Sequence, residues 1–169
     1  KACKDVDIVY HLAALKHIPV CEDFPSEAVK TNILGTENVI KAALANDVET
    51  VVDVSTDKAA NPLNLYGMTK AVGEKLVLLA NTLGRTKFVC IRGGNVLGSN
   101  GSVVPFFIDR IKKFNEVPIT NLSMTRYFLT LQEAISLVLT AGSFAYSGGL
   151  FVMKMPSCRI VDLAKVLVK

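Results

Sequence analysis

Three short runs of apolar and β-branched residues, DIVYH at 7–11, TVVDVS at 50–55 and KFVCIR at 87–92, are separated by stretches long enough for helices. No other feature constrains the fold as much. Strands alternating with helices of this length define βαβ units and a parallel sheet. A parallel sheet covered on both faces has strands that read as near-continuous apolar runs. The same architecture explains why half of the 169 residues are hydrophobic and mean hydropathy is +0.38, while no run reaches the roughly 18 apolar residues of a membrane span. The length is that of one domain.

Between the strands, residues 26–45 carry Val29, Ile33, Val39, Ile40 and Leu44 at helical spacing. Gly35 interrupts that helix at a cost of about 1 kcal/mol against Ala, so close packing or ligand approach is expected there. A second helix is predicted over 65–83, ended by Gly84. The segment LAALKHIPVCEDFP reads as a loop, as does the glycine-rich GGNVLGSNG. Beyond it come a helix after Pro105, an extended stretch to Thr130, a helix over 131–141, a strand in GGLFVMK after a turn, and a helix from Ile160. The shorter, mixed elements of 118–154 suit a small cap over an open sheet.

The charge pattern narrows the partners. A net charge of +4 from 19 basic and 15 acidic residues is scattered without a block of one sign, so no nucleic-acid stripe is present. Cys3, Cys21, Cys90 and Cys158 form no CxxC pair, and with His11 and His17 they give no zinc spacing. No metal is expected, and the thiols read as reduced core residues of a cytoplasmic protein without a signal peptide. The opening KACKDVDIVYHLAA reads as the middle of a domain.

Ligands of open α/β sheets bind outside the carboxyl ends of the strands. There the chain places LAALKH, STDKAANP and GGNVLGSNG. In STDKAANPLNLYGMTK, Tyr66 and Lys70 are four apart and share a helix face. An ammonium beside a phenol favours the phenolate, lowering it from about 10, and such a phenolate can take a proton from an alcohol. The spacing alone is a weak signal and equally fits a surface phenol with a solvated amine. Asp57 and Lys58 alone likewise fit an ordinary turn ion pair.

Taken together, STDKAxNPxNxYGxTK, AALKH, TNxxGT, RxGNVxGSxGSVxPFF, MTRY and KMPS resemble the extended short-chain dehydrogenase/reductases of bacterial polysaccharide biosynthesis. Among these the chain is most similar to the UDP-N-acetylglucosamine 4,6-dehydratases. The resemblance spans nearly the whole chain. It implies a Rossmann-like, doubly wound parallel sheet, incomplete because the first βαβ unit with its GxGxxG loop is missing, and a small C-terminal substrate-binding cap. Residues 1–117 would then belong to the NAD(P)-binding part, and 118–169 mostly to the UDP-sugar region. Such a fragment alone is expected to be inactive, and the full-length parent to be a homo-oligomer.

The resemblance also implies roles. Tyr66 is the acid/base of hydride transfer to NADP or NAD. Lys70 binds the nicotinamide ribose, and Thr56 completes the triad. After oxidation at C4 of a UDP-hexosamine, Lys58 removes the C5 proton, Asp57 protonates the departing 6-hydroxyl, and hydride returns to C6. Ala13, Ala14, Asn32, Ser55, Asn95, Val96, Gly98 and Ser99 fall at cofactor positions, with Asn32 supporting the active-site lysine through water. Lys16, Asn95, Ser102, Val103, Arg126 and Lys154 fall at substrate positions, although Lys154 equally fits an exposed strand end. The family's R-Y-G-N reads Arg92-Gly93-Gly94-Asn95 here, which removes an aromatic near the nicotinamide. A UDP-sugar 4-epimerase of the same family and a non-catalytic nucleotide-binding domain are the competing readings.

Overall fold

The computed structural model describes residues 2–143 and 148–168. The turn expected before the GGLFVMK strand lies outside them. The chain divides into two compact units, Lys1–Gly93 with Ser136–Met153, and Gly94–Ile135 with Lys154–Lys169.

The first unit is built on a four-stranded parallel sheet in the order β1 (Ile8–His11), β2 (Thr50–Thr56), β3 (Lys87–Gly93) and β6 (Gly149–Val152). Its strands alternate strictly. Val51, Phe88 and Cys90 point to a core shared with α3 (Gly35–Leu44) and α4 (Leu65–Ala80), through Ile40, Ala43, Val77 and Ala80. Val52, Val89 and Ile91 point to the opposite face, onto Leu137, Val138 and Ala141 of α6 (Leu131–Ser143). Burial on both faces explains why these strands read as continuous apolar runs. The α/β class and the parallel sheet expected from the sequence are what the chain forms.

Several segments differ from expectation: the glycine-rich stretch read as a loop holds a short strand, Asn95–Val96, the helix expected over 65–83 ends at Ala80, and Ser157–Arg159 forms a strand. The stretch after β1 read as a loop contains a helix, α1 (Ile18–Asp23), and α2 (Pro25–Val29) follows with Pro at its first turn, where a missing N–H costs nothing. The single helix expected over 26–45 is interrupted by a π segment, Lys30–Leu34, before α3 begins. Helical periodicity cannot reveal such a bulge, because one inserted residue leaves the apolar spacing on either side intact. Gly35 is not the tight contact expected. A Cβ there would meet Lys30 O at 3.5 Å, an ordinary separation. Gly73 of α4 is tighter, 3.3 Å from Asn32 O.

The second unit has its own sheet, with β5 (Thr125–Leu129) between β4 (Asn95–Val96) and β7 (Ser157–Arg159). Its core joins Phe107 of α5 (Val103–Phe114) to Phe128 of β5 and to Ile160 and Ala164 of α7 (Ile160–Val168).

Candidate active site

Strand β2 grows more polar toward its carboxyl end on the face that meets α4. Val51 is followed two residues on by Asp53, then by Ser55, and their β3 neighbours run Phe88, Cys90, Arg92. At Thr56 the strand ends in extended backbone and passes into a 3₁₀ turn, Asp57–Ala59. The Thr56 hydroxyl caps that turn, accepting from Lys58 N at 3.4 Å and donating to Asp57 Oδ1 at 3.1 Å. Lys58 Nζ donates to the same carboxylate oxygen at 2.9 Å. The two side chains are half-buried, at 29% and 21% exposure, so this contact is screened less than a surface pair.

Asn64 caps α4, its Oδ1 accepting from Gly67 N at 2.9 Å. This sets Tyr66 in the first turn, directed toward Thr56 at the end of β2, and Lys70 one turn on, directed toward the middle of the strand. Gly67 was not singled out from the sequence. A Cβ there would lie 2.6 Å from the Lys58 carbonyl oxygen and 3.3 Å from Pro62 Cα, so only glycine lets the helix seat against the Asp57–Lys58 turn.

The Tyr66 phenol is half-buried, and burial is the largest influence on it, raising its pKa above the ordinary value. A hydrogen bond with Thr56 opposes that shift, while Asp57, Cys21 and Asp53 reinforce it. The lowering expected from Lys70 is therefore overturned. The Lys70 ammonium, with a side chain 3% exposed, lies 3.5 Å from Asp53 Oδ1. Asp53 is fully buried in mid-strand, and the sequence carried its signal, a lone carboxylate inside a β-branched run.

Asn32, at the π segment, is 1% exposed. Its Oδ1 accepts from Leu15 N at 2.7 Å, and its Nδ2 donates to Leu15 O at 2.9 Å and Thr69 Oγ1 at 3.0 Å. The side chain thus clasps the loop after β1, which carries exposed Ala13 and Lys16 and half-buried Ala14, to the helix bearing Lys70. Ser55 lies one residue from the site, but its hydroxyl donates to Glu74 Oε1 at 2.6 Å. Arg92 grips the same carboxylate through Nε at 2.9 Å and Nη2 at 2.6 Å. Glu74, four residues beyond Lys70 on the same helix face, went unnoticed in the sequence. At Gly93 a Cβ would meet nothing within 4 Å, so the aromatic absent from this position leaves open space.

In the second unit, Asn95 and Val96 pair with Phe128 and Leu129. Gly98 has φ 73°, a left-handed conformation that favours glycine. Ser102 N donates to Ser99 O at 3.0 Å as the chain enters α5 at Val103. Arg126 is exposed on β5 and donates to Thr125 O at 2.7 Å, and Lys154 is exposed.

A parallel, helix-covered sheet whose second strand delivers a Thr to a Tyr-x-x-x-Lys helix defines a Rossmann-type short-chain dehydrogenase/reductase fold. The family model described as polysaccharide biosynthesis protein matches residues 1–169, and the chain belongs to that family. It is 46% identical over 170 residues to the UDP-N-acetylglucosamine 4,6-dehydratase (inverting) of Campylobacter jejuni, covering 98% of this chain and 51% of the relative. It is 47% identical over 169 residues to the UDP-glucose 4-epimerase of Rickettsia bellii, covering 98% and 50%. The solved structure of Pen from Bacillus thuringiensis superposes at TM-score 0.95 with 44% identity, covering 99% of this chain and 54% of that one. The chain spans about half the length of the curated relatives it matches. Among the described residues no helix is long and apolar enough to cross a membrane, and no cluster of metal-ligating residues is found.

Proposed function

We propose that these residues carry the catalytic half of a nucleotide-sugar 4,6-dehydratase that converts UDP-N-acetylglucosamine to a 4-keto-6-deoxy sugar. One observation carries this reading above the others. The chain holds, beside the Thr56–Tyr66 pair that any enzyme of this fold needs for alcohol oxidation, a second acid/base pair, Asp57 and Lys58, in 2.9 Å contact. Oxidation at C4 alone has no use for it. Elimination of water across C5–C6 needs one group to take a carbon-bound proton and one to protonate the departing hydroxyl.

Bound NADP or NAD supplies the hydride chemistry. Lys70 brings three N–H donors, and with Asp53 at 3.5 Å it keeps donors for the hydroxyls of a ribose, so this part of the site fits a nicotinamide cofactor. Tyr66, ionised to the phenolate, takes the proton of the 4-hydroxyl and becomes the phenol, and before that transfer the Thr56 hydroxyl, turned from Asp57, donates to the phenolate oxygen. The 4-ketone acidifies C5. Once a proton has passed from the Lys58 ammonium to the Asp57 carboxylate across their 2.9 Å contact, Lys58 as the free amine takes the C5 proton and Asp57 as the acid gives its proton to the departing 6-hydroxyl, which restores the ion pair. Arg126, a guanidinium fork suited to a diphosphate, Lys154, Lys16, Ser102 and Val103 are the substrate contacts of this reading. A cytoplasmic homo-oligomer is the corresponding expectation for the full-length protein.

A UDP-sugar 4-epimerase is the second reading, favoured by the 47% identity to a relative of that name. A non-catalytic nucleotide-binding domain would not be expected to keep Thr56, Tyr66 and Lys70 together. The test is mass spectrometry of UDP-N-acetylglucosamine incubated with the full-length protein. Loss of one water, with Lys58→Ala lowering the rate by about 10²–10⁴-fold as removal of an acid/base group does, supports the dehydratase. An unchanged mass with a new C4 epimer by NMR makes it an epimerase, and Asp57–Lys58 then only braces the turn.

A further inference from the structure

A fully buried carboxylate sits beneath the site with no role in the steps above. Asp53 is in register with His11 on β1 and Cys90 on β3, so the three side chains form one row across the sheet, on the face toward α4. Among the described residues Asp53 Oδ1 has no hydrogen-bond partner. Its Oδ2 accepts a weak S–H donation from Cys90 at 3.4 Å. Two groups lie near Oδ1, Lys70 Nζ at 3.5 Å and His11 Nε2 at 3.9 Å.

The hydrogen bonds decide which of them bears the compensating charge. The Thr36 hydroxyl donates to Asn32 O at 2.8 Å, so its contact with His11 Nε2 at 3.1 Å must be a donation from the imidazole. His11 is thus the Nε2–H tautomer, held by Thr36. Burial is the largest influence on the ring and favours its neutral form, Lys70 adds to that, and Asp53 opposes it. The positive charge facing Asp53 is therefore Lys70. A buried ion left without its partner is strongly unfavourable, and 3.5 Å is close enough for attraction while leaving the ammonium's donors directed elsewhere.

We propose that Asp53 is a positioning residue for Lys70, the fixed counter-charge that holds the buried ammonium beneath Tyr66. The role of Lys70 in catalysis rests on the proposed function, whereas the pairing itself does not. Among the described residues, the titratable groups around the pair are His11 from β1, Cys90 from β3 and Tyr66 from α4, and beyond Cys90 lies the buried Glu74 carboxylate of α4, which Arg92 of β3 compensates.

The first test is a melting-temperature cycle in the full-length protein, with Asp53→Asn, Lys70→Met and the double variant. Each single change strands one buried charge and the double change strands none. The double variant is expected to melt above Lys70→Met. A double variant that melts at or below Lys70→Met overturns the proposal, and this comparison stands even if Asp53→Asn alone does not fold. The second readout is the pH–rate profile of Asp53→Asn. Removing the anion lets the Tyr66 phenol ionise at lower pH. The limb that reports Tyr66 is expected to move to lower pH. A purely structural role lowers the rate without moving that limb, and that result refutes the positioning role. If the wild-type protein turns over no nucleotide sugar, the proposed function fails and the melting cycle alone decides the pairing.

Discussion

Gly67→Ala tests the seating of α4 against the Asp57–Lys58 turn. The new Cβ would lie 2.6 Å from the Lys58 carbonyl oxygen, where ordinary contact begins at 3.4 Å. The opposing atom is backbone, so no rotamer relieves the clash, and helix and turn must separate by about 0.8 Å. Overpacking of this kind costs about 1–3 kcal/mol. The better helix propensity of Ala returns up to about 1 kcal/mol. A net loss of up to about 2 kcal/mol lowers the melting temperature by up to about 8 °C in a domain of this size. The effect on turnover should be larger than the effect on stability, because the displacement separates Lys58 from Tyr66. A misplacement near 1 Å costs about 10²-fold, so a loss of about 10- to 100-fold in water elimination is expected. Mass-spectrometric product assay and thermal melting of the same preparation measure both. A variant with wild-type melting and turnover within about twofold would show that this contact does not set the site.

Other outcomes follow from the buried polar groups. Glu74→Gln leaves the Arg92 guanidinium, 22% exposed, without its carboxylate. About 3 kcal/mol is expected, the low end for breaking a buried pair, read as a lower urea midpoint at unchanged slope. An unmoved midpoint would mean that water replaces Glu74 without loss. His11, whose pKa burial lowers below 6.5, binds its proton less readily when folded than when unfolded. Its contribution to stability is complete above pH 6.5 and declines as pH falls below that value, so melting temperature should drop between about pH 6.5 and 5. His11→Gln should flatten that decline, and an equally steep decline in the variant refutes the assignment. Burial raises Cys90 and Tyr66, so their contributions are complete below their ordinary values of 9.0 and 10.0 and are lost as pH rises beyond them. Cys90→Ser should shift the alkaline decline in melting temperature to higher pH, and an unshifted decline would exclude Cys90 as its source.

The parallel sheet was legible in the sequence because its cause is local. A strand buried on both faces must be apolar at every position, and runs such as TVVDVS and KFVCIR record that directly. Tyr66 and Lys70 were legible as neighbours because one helical turn links them. The Asp57–Lys58 contact joins adjacent residues and was also within reach. What escaped depends on residues far apart in the chain. The π segment at Asn32 leaves no trace in periodicity. The partners of Asn32 are 17 and 37 residues away, and only the packed structure shows that it clasps a loop. Lys70 was expected to act on Tyr66, four residues away, yet it faces Asp53 from the strand beneath, 17 residues earlier. From the sequence alone, the residue types and their spacing along each element were determined. Tertiary packing decided which of those charged groups are buried together, and burial is what raises the Tyr66 phenol and gives Lys70 its counter-charge.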